Sequence, residues 1–205
     1  WRISVPYVTN WTPRVAITNI EITEGEWEAA ADGTPALTLS RYRKLNDILD
    51  SIVACRQRPN YVILPECSLP RRWAMNVAAK LLHRGISLIA GLEYRPDSSN
   101  PDQLHNEALV ALRTTFPGYL TGLHLLQPKR QPAWHERQLL ADHFGKELAP
   151  PAPSSPNHPV YRHQGFHFGL LICSELTDIE NRMWFQGEVD ALFIPEWNSY
   201  IESFA

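Results

Sequence analysis

Long apolar runs, blocks of like charge and paired-cysteine motifs are all missing from this 205-residue sequence, and each absence removes a class of protein. The longest apolar stretches, residues 86–92 and 166–173, fall far short of the ~20 residues that a membrane-spanning helix requires. With 19 Lys+Arg against 22 Asp+Glu, the formal charge is −3, and no basic block marks a nucleic-acid footprint. Arg41, Arg43 and Lys44 make a small local cluster that reads as a solvated helix face. The three cysteines, Cys55, Cys67 and Cys173, cannot all pair within the chain, and none stands in a CxxC spacing. Reduced thiols, a cytoplasmic setting, no metal and no cofactor are therefore expected. The eight histidines do not alter this. His163 and His167 lack a carboxylate at a recognisable spacing, while His105, His124, His135 and His143 are scattered, so all are read as surface residues rather than ligands or catalytic bases.

What remains is an ordinary globular composition, 44% hydrophobic and 20% charged. A chain of this size buries roughly 70% of the surface its unfolded form exposes, enough for one domain without a disulfide or metal staple. Trp1 is not an initiator, which suggests a portion of something longer. Residues 1–13 read as a lead-in or linker and residues 14–205 as the domain.

Residues 14–22 (RVAITNIEI) alternate as a half-buried strand does, and residues 25–35 read as a loop. From Leu37 onward, Leu39, Tyr42, Leu45, Ile48, Leu49, Ile52 and Val53 recur at threes and fours, predicting an amphipathic helix capped by Ser40. Residues 61–64 (YVIL) form a run too short and too uniformly apolar for anything but a buried strand, ended by Pro65-Glu66. A helix over 71–84 with Gly85 as its left-handed terminator and a second buried strand over 86–91 follow. Residues 106–113 and 119–126, separated by the Pro117-Gly118 turn signal, predict a hairpin. Further on come a short helix over 134–144, a surface loop with five prolines over 149–159, a strand over 166–172, a helix begun by Asp178 and a strand over 189–195. Strands and helices alternating around one inserted hairpin argue an α/β or layered αββα domain with the sheet inside.

Residues that do chemistry in such domains project from the carboxyl ends of strands, where the rigid scaffold meets solvent. Three segments fit: the 61–64 strand delivers Glu66, the strand ending near Pro128 delivers Lys129, and the 166–172 strand delivers Cys173. A carboxylate, an ammonium and a thiol are what amide cleavage without histidine needs: a proton carrier, a cation for the developing oxyanion and a nucleophile. A cation beside the thiol is further expected to lower its pKa and raise its reactivity. Cys67, although next to Glu66, points the other way along an extended segment and reads as core or wall.

In three blocks taken in order, YVILPECSLP, GYLTGLHLLQPKRQPAWHE and GFHFGLLICSELTDIENRMWFQGEVDALFIPEWN, the sequence resembles the carbon-nitrogen hydrolase, or nitrilase, superfamily. The resemblance runs from Arg14 to about Asn198. It implies a four-layer αββα sandwich whose final strands lie beyond this sequence, Glu66 as general base, Lys129 as oxyanion stabiliser, Cys173 as nucleophile and Glu136 as a second glutamate near the lysine. The backbone N–H of Ser174 would join the oxyanion site, and Trp197 and Asn198, just past a strand end, would line the substrate pocket. A small-molecule amide or nitrile as substrate and a homo-oligomer are implied too. Ser174 stands where the superfamily often has an aromatic residue. The alternative is a catalytically idle module that binds a ligand or self-associates within a multidomain protein, since such domains also occur fused to other modules, including in bacterial defence proteins.

Overall fold

The computed structural model describes residues 12–116, 118–151 and 158–197, together with the backbone of one N-terminal strand. In chain order the elements are β1 (Arg2–Val5), β2 (Val15–Ile17), α1 (Glu24–Asp32), α2 (Leu39–Ala54), β3 (Tyr61–Leu69), α3 (Arg71–His83), β4 (Ser87–Leu92), β5 (Arg95–Pro96) and β6 (Gln103–His105). There follow β7 (Glu107–Phe116), β8 (Tyr119–Pro128), α4 (Trp134–Phe144), β9 (Glu147–Leu148), β10 (Val160–His163), β11 (Phe166–Leu170), a 3-10 turn over Cys173–Thr177, α5 (Ile179–Phe185) and β12 (Ala191–Phe193). A five-stranded sheet has the order β2-β3-β4-β7-β8, and a four-stranded sheet the order β1-β10-β11-β12. β1, in the segment expected as a lead-in, pairs in parallel with β10. No helix among the described residues is long and apolar enough to cross a membrane.

Strand periodicity explains why these two sheets stack. Along β3, Tyr61 and Ile63 face one core while Val62 and Leu64 face another; along β7, Ala108, Val110 and Leu112 alternate in the same way with Leu109 and Ala111. Both faces are covered, which is why the runs are uniformly apolar rather than alternating. The outer face of the five-stranded sheet is covered by α2 through Leu45 and Leu49 and by α3 through Ala74, Val77, Ala78, Leu81 and Leu82. Its inner face meets Tyr161, Phe166, Phe168, Leu170, Ile172 and Phe193 of the four-stranded sheet. Phe185 of α5 packs with Val160 and Leu171 on the far side. The result is the expected αββα layering. Aromatic rings fill the middle, with Tyr161 stacked on Phe168 at 4.9 Å and Phe168 against Phe193 at 5.1 Å. Such pairs contribute ~0.5–1.5 kcal/mol each beyond their buried area.

Several expected elements stand where the pattern put them. The hairpin pairs Glu107 with Pro128 through to Phe116 with Tyr119, α4 covers the expected residues, Asp178 caps α5 by accepting from the Glu180 N–H, and Gly85 adopts φ +80° after α3. Others are corrected. Residues 25–35 are mostly helix, because Thr23 and Glu26 form a capping box that starts α1 and Trp27, Ala30 and Ala31 bury its inner face. Thr38, not Ser40, caps α2: its side chain accepts from the Arg41 N–H. β2 has three residues, fewer than the alternation suggested, and β3 runs on through Pro65 and Glu66 to Leu69 with a register shift after Leu64. A small third sheet, β5-β6-β9, and β10 complete the architecture; Leu104 of that small sheet packs with α1, Leu140 of α4, Cys67 and Tyr94.

His163 is likewise a core residue rather than a surface one. Its Nε2–H donates to the Arg113 carbonyl at 2.6 Å, which leaves Nδ1 to accept from the Tyr61 hydroxyl across the two sheets. His158 is buried against Asn181 at 2.8 Å. Burial pushes the pKa of both rings below the usual histidine range. An unfolded chain gains protons on these rings below about pH 6.5, and the folded one resists, so stability is present above that pH and falls as the pH drops. Urea unfolding should show the midpoint falling between pH 7 and pH 5, by at most ~1.4 kcal/mol per pH unit for each ring. His163→Gln should be less stable at pH 7 and less sensitive to acid; an unchanged acid slope would contradict this assignment.

Candidate active site

Glu66 and Lys129 come from the five-stranded sheet and Cys173 from the four-stranded one, and the three meet at one end of the sandwich. Glu66 lies in the bulged part of β3, Lys129 follows β8 directly, and Cys173 opens the 3-10 turn after β11. The bulge depends on Gly91 of β4. A Cβ there would lie 2.3 Å from the Glu66 Cα and 2.6 Å from the Pro65 carbonyl oxygen, so only glycine lets the Glu66 backbone cross so closely. Cys67 and Cys173 both hold positive φ, 56° and 50°. Non-glycine residues rarely adopt this conformation, at a cost of about 1–3 kcal/mol, and it concentrates at functional sites. It turns the Cys173 side chain out of the strand direction at the point where the chain enters its turn.

Lys129 Nζ bridges two carboxylates, Glu66 Oε1 at 2.9 Å and Glu136 Oε2 at 2.5 Å, and its side chain is only 1% exposed. Asn106 Nδ2 donates to Glu66 at 2.7 Å and to Glu136 at 3.2 Å, the Tyr94 hydroxyl donates to Glu136 at 2.5 Å, and the Ala133 N–H donates to Glu136 at 3.1 Å. Because Asn106 meets two carboxylates, its amide nitrogen must face them, and its buried Oδ1 has no partner. Burial alone would lower the lysine pKa, but Glu66 and Glu136 outweigh it and raise the value, so Lys129 is held as the cation.

The thiol behaves differently from expectation. Burial, and then the Glu66 carboxylate, push the Cys173 pKa well above the thiol range, and Lys129 only partly offsets them. With both carboxylates ionised, the lysine and its two partners carry a net formal charge of −1, so the cation's field at sulfur is neutralised close by. Burial and the Glu66 carboxylate thus favour a protonated Cys173 thiol over a lysine-stabilised thiolate. Its Sγ also lies 3.8 Å from the Trp197 carbonyl oxygen.

Glu136, expected from the sequence, lies in this cluster. Ser174 follows Cys173 in the first turn of the 3-10 segment, where N–H groups lack partners within the turn; its hydroxyl donates to the Gln131 carbonyl at 3.4 Å. Trp197 stacks its ring on Trp27 at 5.7 Å and presents its backbone oxygen to the thiol. Asn198 lies outside the described residues. Cys67 is buried beside Tyr94 as wall. His105 and His167 do have carboxylate partners, Asp97 at 2.8 Å and Asp190 at 3.8 Å, though neither histidine belongs to the site. Among the described residues no cluster of three or more potential metal ligands exists.

Two buried residues that the sequence reading did not single out as site residues tie the lysine segment to the cysteine segment. Gln127, two before Lys129, donates to the Leu170 carbonyl at 2.7 Å and accepts from the Tyr161 hydroxyl at 2.9 Å. Glu175, two after Cys173, accepts from the Ile172 N–H and the Arg130 N–H, both at 2.7 Å. Only the proximity of Glu175 to Cys173 in sequence could have signalled this. Tyr94 and Asn106 carried no pattern at all.

Two outcomes follow from this geometry. Glu175→Gln replaces an acceptor oxygen by a donor facing a backbone N–H and should cost about 1–3 kcal/mol in urea unfolding; a change below ~0.5 kcal/mol would mean that the brace is not formed. Iodoacetamide at pH 7 should alkylate exposed Cys55 before Cys173, with Cys173 modification accelerating as the pH rises. Peptide mass spectrometry over time would show the order, and Cys173 reacting first would contradict a protonated thiol.

No protein-family model and no curated protein matches the sequence. Solved structures do match. An amidase from Nesterenkonia sp. is 17% identical, with 92% of this chain covering 67% of that one at a TM-score of 0.55, and a cysteine-to-alanine variant of a Nesterenkonia amidase from the nitrilase superfamily gives 17%, 93%, 67% and 0.57. A CN-hydrolase superfamily protein from Xanthomonas campestris, with an arsenic adduct in its active site, is 14% identical, with 80% of this chain covering 62% of that one at 0.52. The chain thus spans about two thirds of the length of these proteins, and 29% of a glutamine-dependent NAD+ synthetase from Acinetobacter baumannii that also matches. By this likeness to solved structures, the chain has the fold of the nitrilase, or carbon-nitrogen hydrolase, superfamily.

Proposed function

We propose that this protein is a thiol-dependent hydrolase, or acyl transferase, acting on a non-peptide carbon-nitrogen bond of a small molecule, with an amide favoured over a nitrile. The observation that carries the reading is that Glu66 serves two neighbours: the same buried carboxylate is ion-paired to Lys129 at 2.9 Å and lies near enough to the Cys173 thiol to raise its pKa. A carboxylate base beside a protonated thiol, with a fixed cation next to it, suits amide cleavage through a thioester.

In this mechanism Glu66 takes the Cys173 proton as Sγ attacks the substrate carbonyl carbon. The carbonyl oxygen becomes an oxyanion, met by Lys129 Nζ and the Ser174 N–H. Collapse re-forms the carbonyl and breaks the carbon-nitrogen bond, and Glu66 returns its proton to the departing amine. Water then enters; Glu66 accepts its proton as the oxygen adds to the thioester, the carbon-sulfur bond breaks, and Glu66 gives that proton to the departing sulfur, which releases the acid and restores the thiol. An amine in place of water gives acyl transfer. The high thiol pKa fits this scheme, because a proton transferred during attack makes a standing thiolate unnecessary. Glu136, anchored by Tyr94, Asn106 and the Ala133 N–H, keeps Lys129 aimed as Glu66 changes charge. Trp197 and Asn198 are proposed to wall the acyl side of the pocket.

Butyramide, which a Nesterenkonia amidase variant holds in its complex, is a suitable first substrate. Release of ammonia should be abolished in Cys173→Ala, and Glu66→Gln should lower kcat by about 10²–10⁴-fold. Denaturing mass spectrometry should find the butyryl group on Cys173 during turnover. Full activity in Cys173→Ala would overturn the proposal.

A further inference from the structure

At the end of the five-stranded sheet remote from Glu66, where the parallel strands begin, a cleft of about 360 Å³ is lined by Arg14, Arg58, Arg84, Arg113 and His83 with Asn60 at its floor. Glu66 lies six residues beyond Asn60, about 20 Å along β3 at ~3.3 Å per residue. Four arginines from four different segments line the cleft, and among the described residues no carboxylate does so and none of the four forms an ion pair. In a chain with an acidic net charge this is a strong local departure.

The cleft is held in shape. Arg14 Nε donates to the Arg58 carbonyl at 3.1 Å, and the Arg14 N–H is capped by Asn60 Oδ1 at 2.9 Å. Arg113 is half-buried, its guanidinium lies beneath Gly85, where an added Cβ would sit 3.6 Å from Nη1, and its buried Nε has no hydrogen-bond partner. Arg84 and His83 also complement the C-terminal end of the α3 dipole, but that accounts for neither Arg14, Arg58 nor Arg113, which lie on other segments. Cations gathered without counter-charges repel one another, and a bound anion removes that repulsion.

We propose that this cleft is a binding site for a small ligand bearing a chain of phosphates. Guanidinium forks match phosphate oxygens in pairs, and a di- or triphosphate spreads its oxygens and charge along a cleft lined by four arginines, where a single phosphate offers them at one point. The volume falls within the ordinary range for small-molecule sites. The ligand's binding is separate from carbon-nitrogen bond cleavage at Cys173, so the inference stands or falls independently of the proposed activity.

Calorimetric titration with tripolyphosphate and with orthophosphate tests it. One saturable tripolyphosphate site is expected, weakening with added salt and at least about tenfold tighter than orthophosphate. Arg58→Gln/Arg84→Gln, whose two side chains are exposed and outside the core, should lose at least about tenfold in affinity with an unchanged circular dichroism spectrum. Absence of saturable binding, equal affinity for both anions, or undiminished binding by the double variant would overturn the proposal.

Discussion

The site exists only because two sheets are locked in register. Glu66 and Lys129 belong to the five-stranded sheet and Cys173 to the four-stranded one, so a sliding of one layer over the other by a single residue, about 3.3 Å, would separate acid from thiol. Apolar burial alone does not fix that register, because hydrophobic attraction has no direction. Shape and polar pins do. The interdigitated rings of Tyr61, Tyr161, Phe166, Phe168 and Phe193 supply the shape, while the Tyr61–His163–Arg113, Tyr161–Gln127–Leu170 and Arg130–Glu175–Ile172 bridges supply directional contacts between the layers and around the cysteine turn.

The same view explains the electrostatics. A lysine buried as deeply as Lys129 stays charged because two carboxylates surround it, and that pairing takes its field away from the sulfur. A buried thiol beside a carboxylate is then kept neutral. Burial makes each charge expensive unless compensated, and the cluster answers with one cation between two acids and a neutral thiol. Strained backbone at Cys67 and Cys173, and the close crossing at Gly91, sit around this cluster and are retained by the packing on every side.

Much of this was legible in the sequence. YVIL announced a strand buried on both faces, FHFGLLI a strand and NEALVALR one arm of a hairpin, and the residue just beyond each relevant apolar run announced Glu66, Lys129 and Cys173. What stayed hidden was whatever depends on three-dimensional neighbours. α1 has little amphipathic pattern and was visible only through its Thr23–Glu26 capping box. β10 and the small third sheet are too short for periodicity to register. His163 looked like a surface histidine since its partners, Tyr61 and Arg113, lie far off in sequence. The sequence points the Cys173 pKa in the opposite direction for a related reason: it displays a lysine, but not that two carboxylates already hold it.

Thiolate absorbance of Cys173, followed against pH in a Cys55→Ser background with and without Glu66→Gln, probes the convergence of sulfur, acid and amine most directly. The account predicts that the thiolate of the parent protein emerges only well above neutral pH, and that removing the Glu66 charge shifts the transition downward, because Lys129 then acts on sulfur with one fewer opposing carboxylate. A titration that Glu66→Gln leaves in place would mean that the acid and the thiol do not share a site.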